Sequence, residues 1–180
     1  MDPLVVNGRR ISDLDSPYLI AEISANHMGD FNRALRLLDM IKRSGAGAAK
    51  IQTYSAESMT LDIDGEDFLI KHGLWKGRRL FDLYKEGATP REWHAPLFEY
   101  GKKIGLPIFS TPFDEESADF LDALGVPAFK ISSFELVDLP LIRRVAGKGK
   151  PLFISTGMAS LDVIGEAVET AKSAGLKQIG

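Results

Sequence analysis

PIFSTPFDEESADFLDALGVPAFKI, residues 107–131, carries one full period of the pattern that decides the fold. Pro107 to Ser110 reads as a short buried strand, Asp114 to Leu124 as a helix, and Ala128 to Ile131 as a second strand. The period repeats downstream: Asp138 to Ala146 is a helix, Pro151 to Ser155 a strand, Ser160 to Ala174 a helix, and residues 175–180 run into another strand. Upstream, Thr89-Pro90 reads as a cap followed by a proline in the first turn of a helix that ends at Ile104, and Ala48 to Gln52 is a strand. Phe31 to Ser44 is a helix with Asp30 as its N-cap and Gly45 as its stop, and Tyr18 to Ile23 is the first strand of the series. Leu4 to Val6 and Arg9 to Ile11 flank Asn7-Gly8, the dipeptide suited to a type I′ hairpin turn.

Short apolar strands alternating with amphipathic helices imply a parallel sheet with right-handed crossovers. An open doubly wound sheet and a TIM barrel both satisfy this. The nucleotide-binding version of the first needs Gly-x-Gly-x-x-Gly after its first strand, which Ser24-Ala-Asn-His-Met-Gly29 does not supply. Gly147-Lys-Gly-Lys150 lacks the spacing of a P-loop and reads as a helix-ending turn. The segment from Tyr54 to Ala88 breaks the rhythm, since βα loops take about 2–6 residues. Its apolar residues, among them Phe68, Trp75, Phe81 and Tyr84, are expected to pack it over the face where α/β proteins bind ligands. A decorative insertion with a small core of its own is the alternative.

Composition sets limits on function. With 44% hydrophobic and 26% charged residues the chain has the make-up of an ordinary globular domain, and its net charge of −3 gives no reason to expect nucleic acid or an anionic membrane surface. There is no cysteine, hence no disulfide framework and no thiolate metal site. The first residues have neither the basic start nor the apolar stretch of a signal peptide, so a cytoplasmic protein is expected.

The chemistry lies at the strand ends. Glu22, Lys50 with Gln52, Thr111, Lys130 with Glu135, and Ser155 place polar groups at the same end of five consecutive strands, where barrel active sites form. A lysine inside an apolar strand is costly unless it meets an anion. Lys50 and Lys130, with the hydroxyls of Thr111, Ser133 and Ser155, therefore read as a cradle for a phosphate or carboxylate. Glu22 and Glu135 are either structural partners of those lysines or groups for proton transfer and hydroxyl holding.

In content and order, Ala21-Glu-Ile-Ser-Ala-Asn-His-Met-Gly29, Lys50-Ile-Gln-Thr53, Ser110-Thr-Pro-Phe113, Lys130-Ile-Ser-Ser-Phe-Glu135 and Ser155-Thr-Gly-Met158 resemble the motif series of the sialic acid synthase family. Members condense phosphoenolpyruvate with an aminosugar to make nine-carbon sugar acids. Within the family the chain is most similar to pseudaminic acid synthases, through Ile51-Gln-Thr-Tyr54, Met59-Thr-Leu-Asp62, Leu74-Trp-Lys-Gly77, Leu83-Tyr84, Thr89-Pro-Arg-Glu-Trp-His94 and Phe134. N-Acetylneuraminate and legionaminate synthases, and a keto-acid synthase of the sugar-phosphate type, are the neighbouring readings.

The resemblance implies a (β/α)₈ TIM barrel, present here as about five βα units and an N-terminal β-hairpin. It implies that Lys50, Thr111, Lys130, Ser133 and Ser155 hold phosphoenolpyruvate, that Glu22 and Glu135 are catalytic, and that Gln52 and Tyr54 stand near an acetamido sugar. It also implies a manganese or magnesium ion with histidine ligands from later strands; His27, His72 and His94 form no ligand pair at metal-site spacing. A C-terminal antifreeze-like domain and a homodimer belong to the same expectation. At 180 residues the barrel is not expected to close, so the chain by itself is expected to be an inactive fragment. A non-catalytic, anion-binding half-barrel is the alternative from another class.

Overall fold

Asn7 and Gly8 take φ of 48° and 80°, as a type I′ turn requires, and join β1 (Leu4–Val6) to β2 (Arg9–Ile11) in antiparallel register. The computed structural model describes residues 3–180. After the hairpin come β3 (Ile20–Glu22), β4 (Ala48–Thr53), β5 (Ile108–Pro112), β6 (Phe129–Ile131) and β7 (Leu152–Ile154), all parallel and paired strictly in chain order. An unbroken sequential order is that of a barrel wall, whereas a doubly wound sheet reverses direction at a switch point. The five strands curl as half of such a wall. The expected next strand begins at its edge: the Leu152 and Ile154 amides donate to Gln178 and Gly180 carbonyls at 3.0 and 2.8 Å.

The wall is covered by α1 (Phe31–Arg43), α4 (Arg91–Ile104), α5 (Glu115–Ala123), α6 (Leu139–Ala146) and α7 (Leu161–Ser173); α2 (Ala56–Met59) and α3 (Leu80–Gly87) lie within the long segment. Asp30, Asp114, Asp138 and Ser160 each accept an amide hydrogen bond at a helix start, which satisfies one of the donors a helix leaves free there. The expected cap at Thr89 is corrected. α4 starts at Arg91, Pro90 stands just outside it in extended conformation, and no side chain caps it, because the Thr89 hydroxyl is directed to His27. The first strand also begins later than expected, at Ile20, since the Tyr18 ring packs over Gly47 and its hydroxyl donates to the Gly47 carbonyl.

Period-two alternation gives the wall two faces with different duties. Ala49, Ile51, Ile108, Phe129, Ile131 and Leu152 face the helices and meet Leu38, Leu97, Leu121 and Ile142. Ala48, Phe109 and Ala128 face inward with Ile20 and Phe153, and Val6 of the hairpin closes this inner core from below. Phe109 and Phe153 stack at 5.6 Å. Burial of a side chain such as Phe109 contributes about 1.5–3 kcal/mol. Among the described residues no helix is long and apolar enough to cross a membrane.

The long segment packs less than its composition predicts. Phe81 is buried and Tyr84 meets the Tyr54 ring edge-on, but Leu61, Leu74 and Trp75 are exposed. It is held by charge: Arg79 pairs with Asp62, Asp64 and Asp82, and the Ser55–Ser58 capping box fixes α2.

Candidate active site

The inward-facing residue two places beyond each apolar floor residue is polar. Ile20 is followed on its face by Glu22, Ala48 by Lys50 and then Gln52, Phe109 by Thr111, Ala128 by Lys130, and Phe153 by Ser155. One strand repeat, about 6.5 Å, therefore lifts a polar layer above the floor. The register sets Glu22 opposite Lys50 and Gln52 opposite Thr111. The Lys50 ammonium pairs with Glu22 and donates to the Thr111 hydroxyl at 3.2 Å. Lys130 donates to the Ile131 carbonyl at 2.9 Å and, among the described residues, has no carboxylate partner. Burial, with the charge of Lys50 as the next cause, lowers its pKa from the usual 10.5 to about 8, against the pull of Glu22 and Glu135. The two lysines thus sense each other across the Thr111 strand.

The carboxylates part company. Glu22 is a lysine partner, as one of its two readings required. Glu135 accepts a hydrogen bond from Ser132, and burial, helped by the charge of Asp138, raises its pKa above the usual carboxylate range. Ser133 is exposed and Ser155 half-buried, at the ends of β6 and β7. Gln52 joins the layer through its neighbour: its side-chain oxygen accepts from the Ser24 hydroxyl at 3.0 Å. Tyr54 stands apart from it, its ring edge-on to Tyr84 and Phe113 and its hydroxyl against Gly87, and so braces the long segment.

Gly157 keeps the last loop close to this layer. Its φ is +53°, and a Cβ there would lie 2.8 Å from the Ser133 Cβ. Gly157→Ala is therefore expected to displace Ser133, with a stability loss of about 1–3 kcal/mol in denaturant titration. An unchanged denaturation midpoint would show that the Ser133 loop yields without cost.

Two features of the layer were not assigned from sequence. Ser24, in the turn after β3, has φ of +49°, a conformation that costs a residue with a Cβ of the order of 1–3 kcal/mol. Ser132 holds Glu135. A cavity of about 510 Å³ opens beside the layer, between Ser24, Asn26 and Met28 on one side and Trp75, Leu83 and Glu86 of the long segment on the other.

The sequence profile of the NeuB family matches residues 37–180. The chain belongs to the NeuB family. It is 42% identical over 159 residues to the pseudaminic acid synthase of Helicobacter pylori, covering 88% of this chain and 47% of that protein. It is 43% identical over 155 residues to the pseudaminic acid synthase of Campylobacter jejuni, covering 86% and 45%. Among solved structures, the N-acetylneuraminic acid synthetase of Leptospira borgpetersenii in complex with citrate superposes with a TM-score of 0.84 at 26% identity, over 97% of this chain and 56% of that one. The chain spans about half the length of the curated relatives it matches.

Both buried histidines of this NeuB-family chain serve the scaffold. His94 contacts the Pro90 carbonyl through Nδ1 at 3.1 Å and Thr53 through Nε2 at 2.8 Å, and Thr53 continues to Ser110 at 2.6 Å, so the outward faces of β4 and β5 are tied to α4. His27 Nδ1 accepts the Gly29 amide at 3.2 Å and Nε2 faces the Thr89 hydroxyl at 3.4 Å. Burial lowers both pKa values, which favours neutral rings, and the Gly29 bond requires an unprotonated His27 Nδ1. Among the described residues no group of three or more His, Asp or Glu could hold a metal ion, so they do not fit the expected metal's ligand set.

Proposed function

We propose that this chain forms the phosphoenolpyruvate-binding half of a pseudaminic acid synthase barrel, in a protein that joins phosphoenolpyruvate and a diacetamido-trideoxy-altrose. The observation that carries this reading is the pair of ammonium groups, Lys50 and Lys130, on either side of the Thr111 strand above an apolar floor. Phosphoenolpyruvate bears a phosphate and a carboxylate, and two cations in one layer answer both. Its enol carbon forms the new C–C bond to the sugar aldehyde carbon, whose oxygen gains a proton. Water then adds to the neighbouring oxocarbenium-like carbon, losing a proton, and C–O cleavage expels phosphate. Glu22 handles the aldehyde oxygen and Glu135 the water in this reading; the raised pKa of Glu135 suits a group that exchanges protons. A manganese or magnesium ion, which would be held by residues other than these, would supply Lewis-acid polarisation of the aldehyde. Likeness to the two pseudaminic acid synthases supports the choice of sugar.

The test is manganese-supported phosphate release from phosphoenolpyruvate, on this chain and on a chimera that joins it to the C-terminal half of the Campylobacter jejuni relative. Turnover by the chimera with the altrose sugar and not with N-acetylmannosamine is the expected result. Turnover with N-acetylmannosamine or a legionaminate precursor instead would reassign the sugar, and binding of phosphoenolpyruvate with no turnover of any sugar would favour an anion-binding module.

A further inference from the structure

We propose that Ser24 is a positioning residue for the sugar: its hydroxyl holds the Gln52 side-chain amide by its oxygen, so that the amide N–H groups are left to an acetamido carbonyl above the polar layer. The inference rests on the proposed function, whose sugar it places.

Among the described residues only Asn7, Ser24 and Met28 combine a side chain with positive φ. Asn7 is explained by its hairpin turn, for which asparagine is suited. Ser24 and Met28 bracket the short turn Ser24–His27 that follows β3. A glycine would adopt either conformation without strain and keep the main-chain bond to Glu22, so at Ser24 what the side chain adds against the cost of its Cβ is the hydroxyl. That hydroxyl makes one bond, to the Gln52 amide oxygen at 3.0 Å. The amide group has two ends of similar shape and opposite polarity. With its oxygen engaged, its nitrogen is the end left to a ligand.

The Ser24 main chain acts separately. Its amide donates to the Glu22 carboxylate at 2.9 Å, and Glu22 pairs with Lys50. Side-chain substitution at Ser24 thus releases Gln52 while it leaves the Glu22–Lys50 arrangement in place. Ser24 also lines the cavity of about 510 Å³, whose opposite wall carries Trp75 and Leu83. An acetamido group has one carbonyl acceptor and one methyl. Gln52 N–H takes the carbonyl, and the cavity on the far side of Ser24, with Met28, Trp75 and Leu83, offers apolar surface to the methyl.

Ser24→Ala and Ser24→Gly in the chimera test this. Both are expected to raise the KM for the acetamido sugar about tenfold, the weight of one hydrogen bond, and to keep the KM for phosphoenolpyruvate within about twofold. Ser24→Gly is expected to keep Tm at or above wild type, because it removes the strain, whereas Ser24→Ala keeps the strain and lowers Tm. If wild type turns over the sugar and both variants share its KM values, Ser24 is a turn residue and the inference fails. A readout without turnover separates this from failure of the proposed function. The chain has two glutamines, Gln52 and Gln178, so selective ¹⁵N labelling gives two side-chain amide signals, with Gln178, whose oxygen accepts the Val5 amide at 2.8 Å, as internal control. Ser24→Ala is expected to shift the Gln52 signal toward free glutamine and to leave Gln178 unmoved. If wild type turns over no acetamido sugar, the proposed function falls, and an unmoved Gln52 signal overturns the Ser24–Gln52 lock with it.

Discussion

Glu135→Gln in the chimera is expected to lower kcat by about 10²–10⁴-fold with the KM for phosphoenolpyruvate within about twofold, the signature of a lost acid–base group. Glu135 is in the layer but pairs with neither lysine, so its neutral isostere leaves the anion cradle intact. Its pKa is raised, burial being the first cause, and this fixes two signs. A base of raised pKa gives an acid limb in kcat above the ordinary carboxylate range, and Glu135→Gln abolishes that limb. In folding, the native state holds this proton to higher pH than the unfolded chain does, so Glu135 withdraws stability as pH rises through the window between the two values. At neutral pH Glu135→Gln is therefore expected to match or exceed wild-type Tm. A large loss of Tm with kcat retained would make Glu135 a scaffold residue and leave the water to another group.

The fold was legible because its signals are local. Strand length, helix periodicity and the cap at Asp30 are written in neighbouring residues, and the structure reproduces the order of elements they imply. Strand ends named the layer for the same reason: alternation from Ala48 through Lys50 to Gln52 sets which residues share the inner face once the barrel is assumed. What escaped reading depends on contacts across the chain. Serine has no preference for positive φ, so nothing local marks Ser24, whose conformation follows from Gln52 and Glu22. Thr89 looked like a cap because Thr-Pro before a helix usually is one; His27, 62 residues away, takes its hydroxyl. The apolar residues of the long segment suggested packing over the ligand-binding face, whereas the Arg79 cluster that holds it depends on the carboxylates of Asp62 and Asp64, distant in sequence.

Lys50→Met is expected to weaken phosphoenolpyruvate binding by about 2–5 kcal/mol, or roughly thirty- to several-thousandfold, by calorimetry. Part of that loss is the missing cation. The rest is Glu22, which Lys50 now neutralises and which would be left as a bare carboxylate beside an incoming anion. The affinity loss separates the anion-site role from a purely structural ion pair, and the pH profile reports the coupling of Lys50 to Lys130. An anion binds Lys130 in its protonated form, so wild-type affinity is level below about 8 and falls above it, by at most about tenfold per pH unit. The positive charge of Lys50 is, after burial, the next cause of that depressed value. Removing it raises the pKa of Lys130 and moves the break in the profile to higher pH. Stability shifts in the same sense: with a depressed value the native state sheds this proton first, so stability rises with pH between about 8 and 10.5 in wild type, and this gain shrinks in the variant. If Lys50 only braced Glu22 against the sheet, Lys50→Met would lower Tm and move the break upward, but leave the affinity below about pH 8 where it was. A break that moves upward with the affinity lost is the behaviour of two lysines that share one anion.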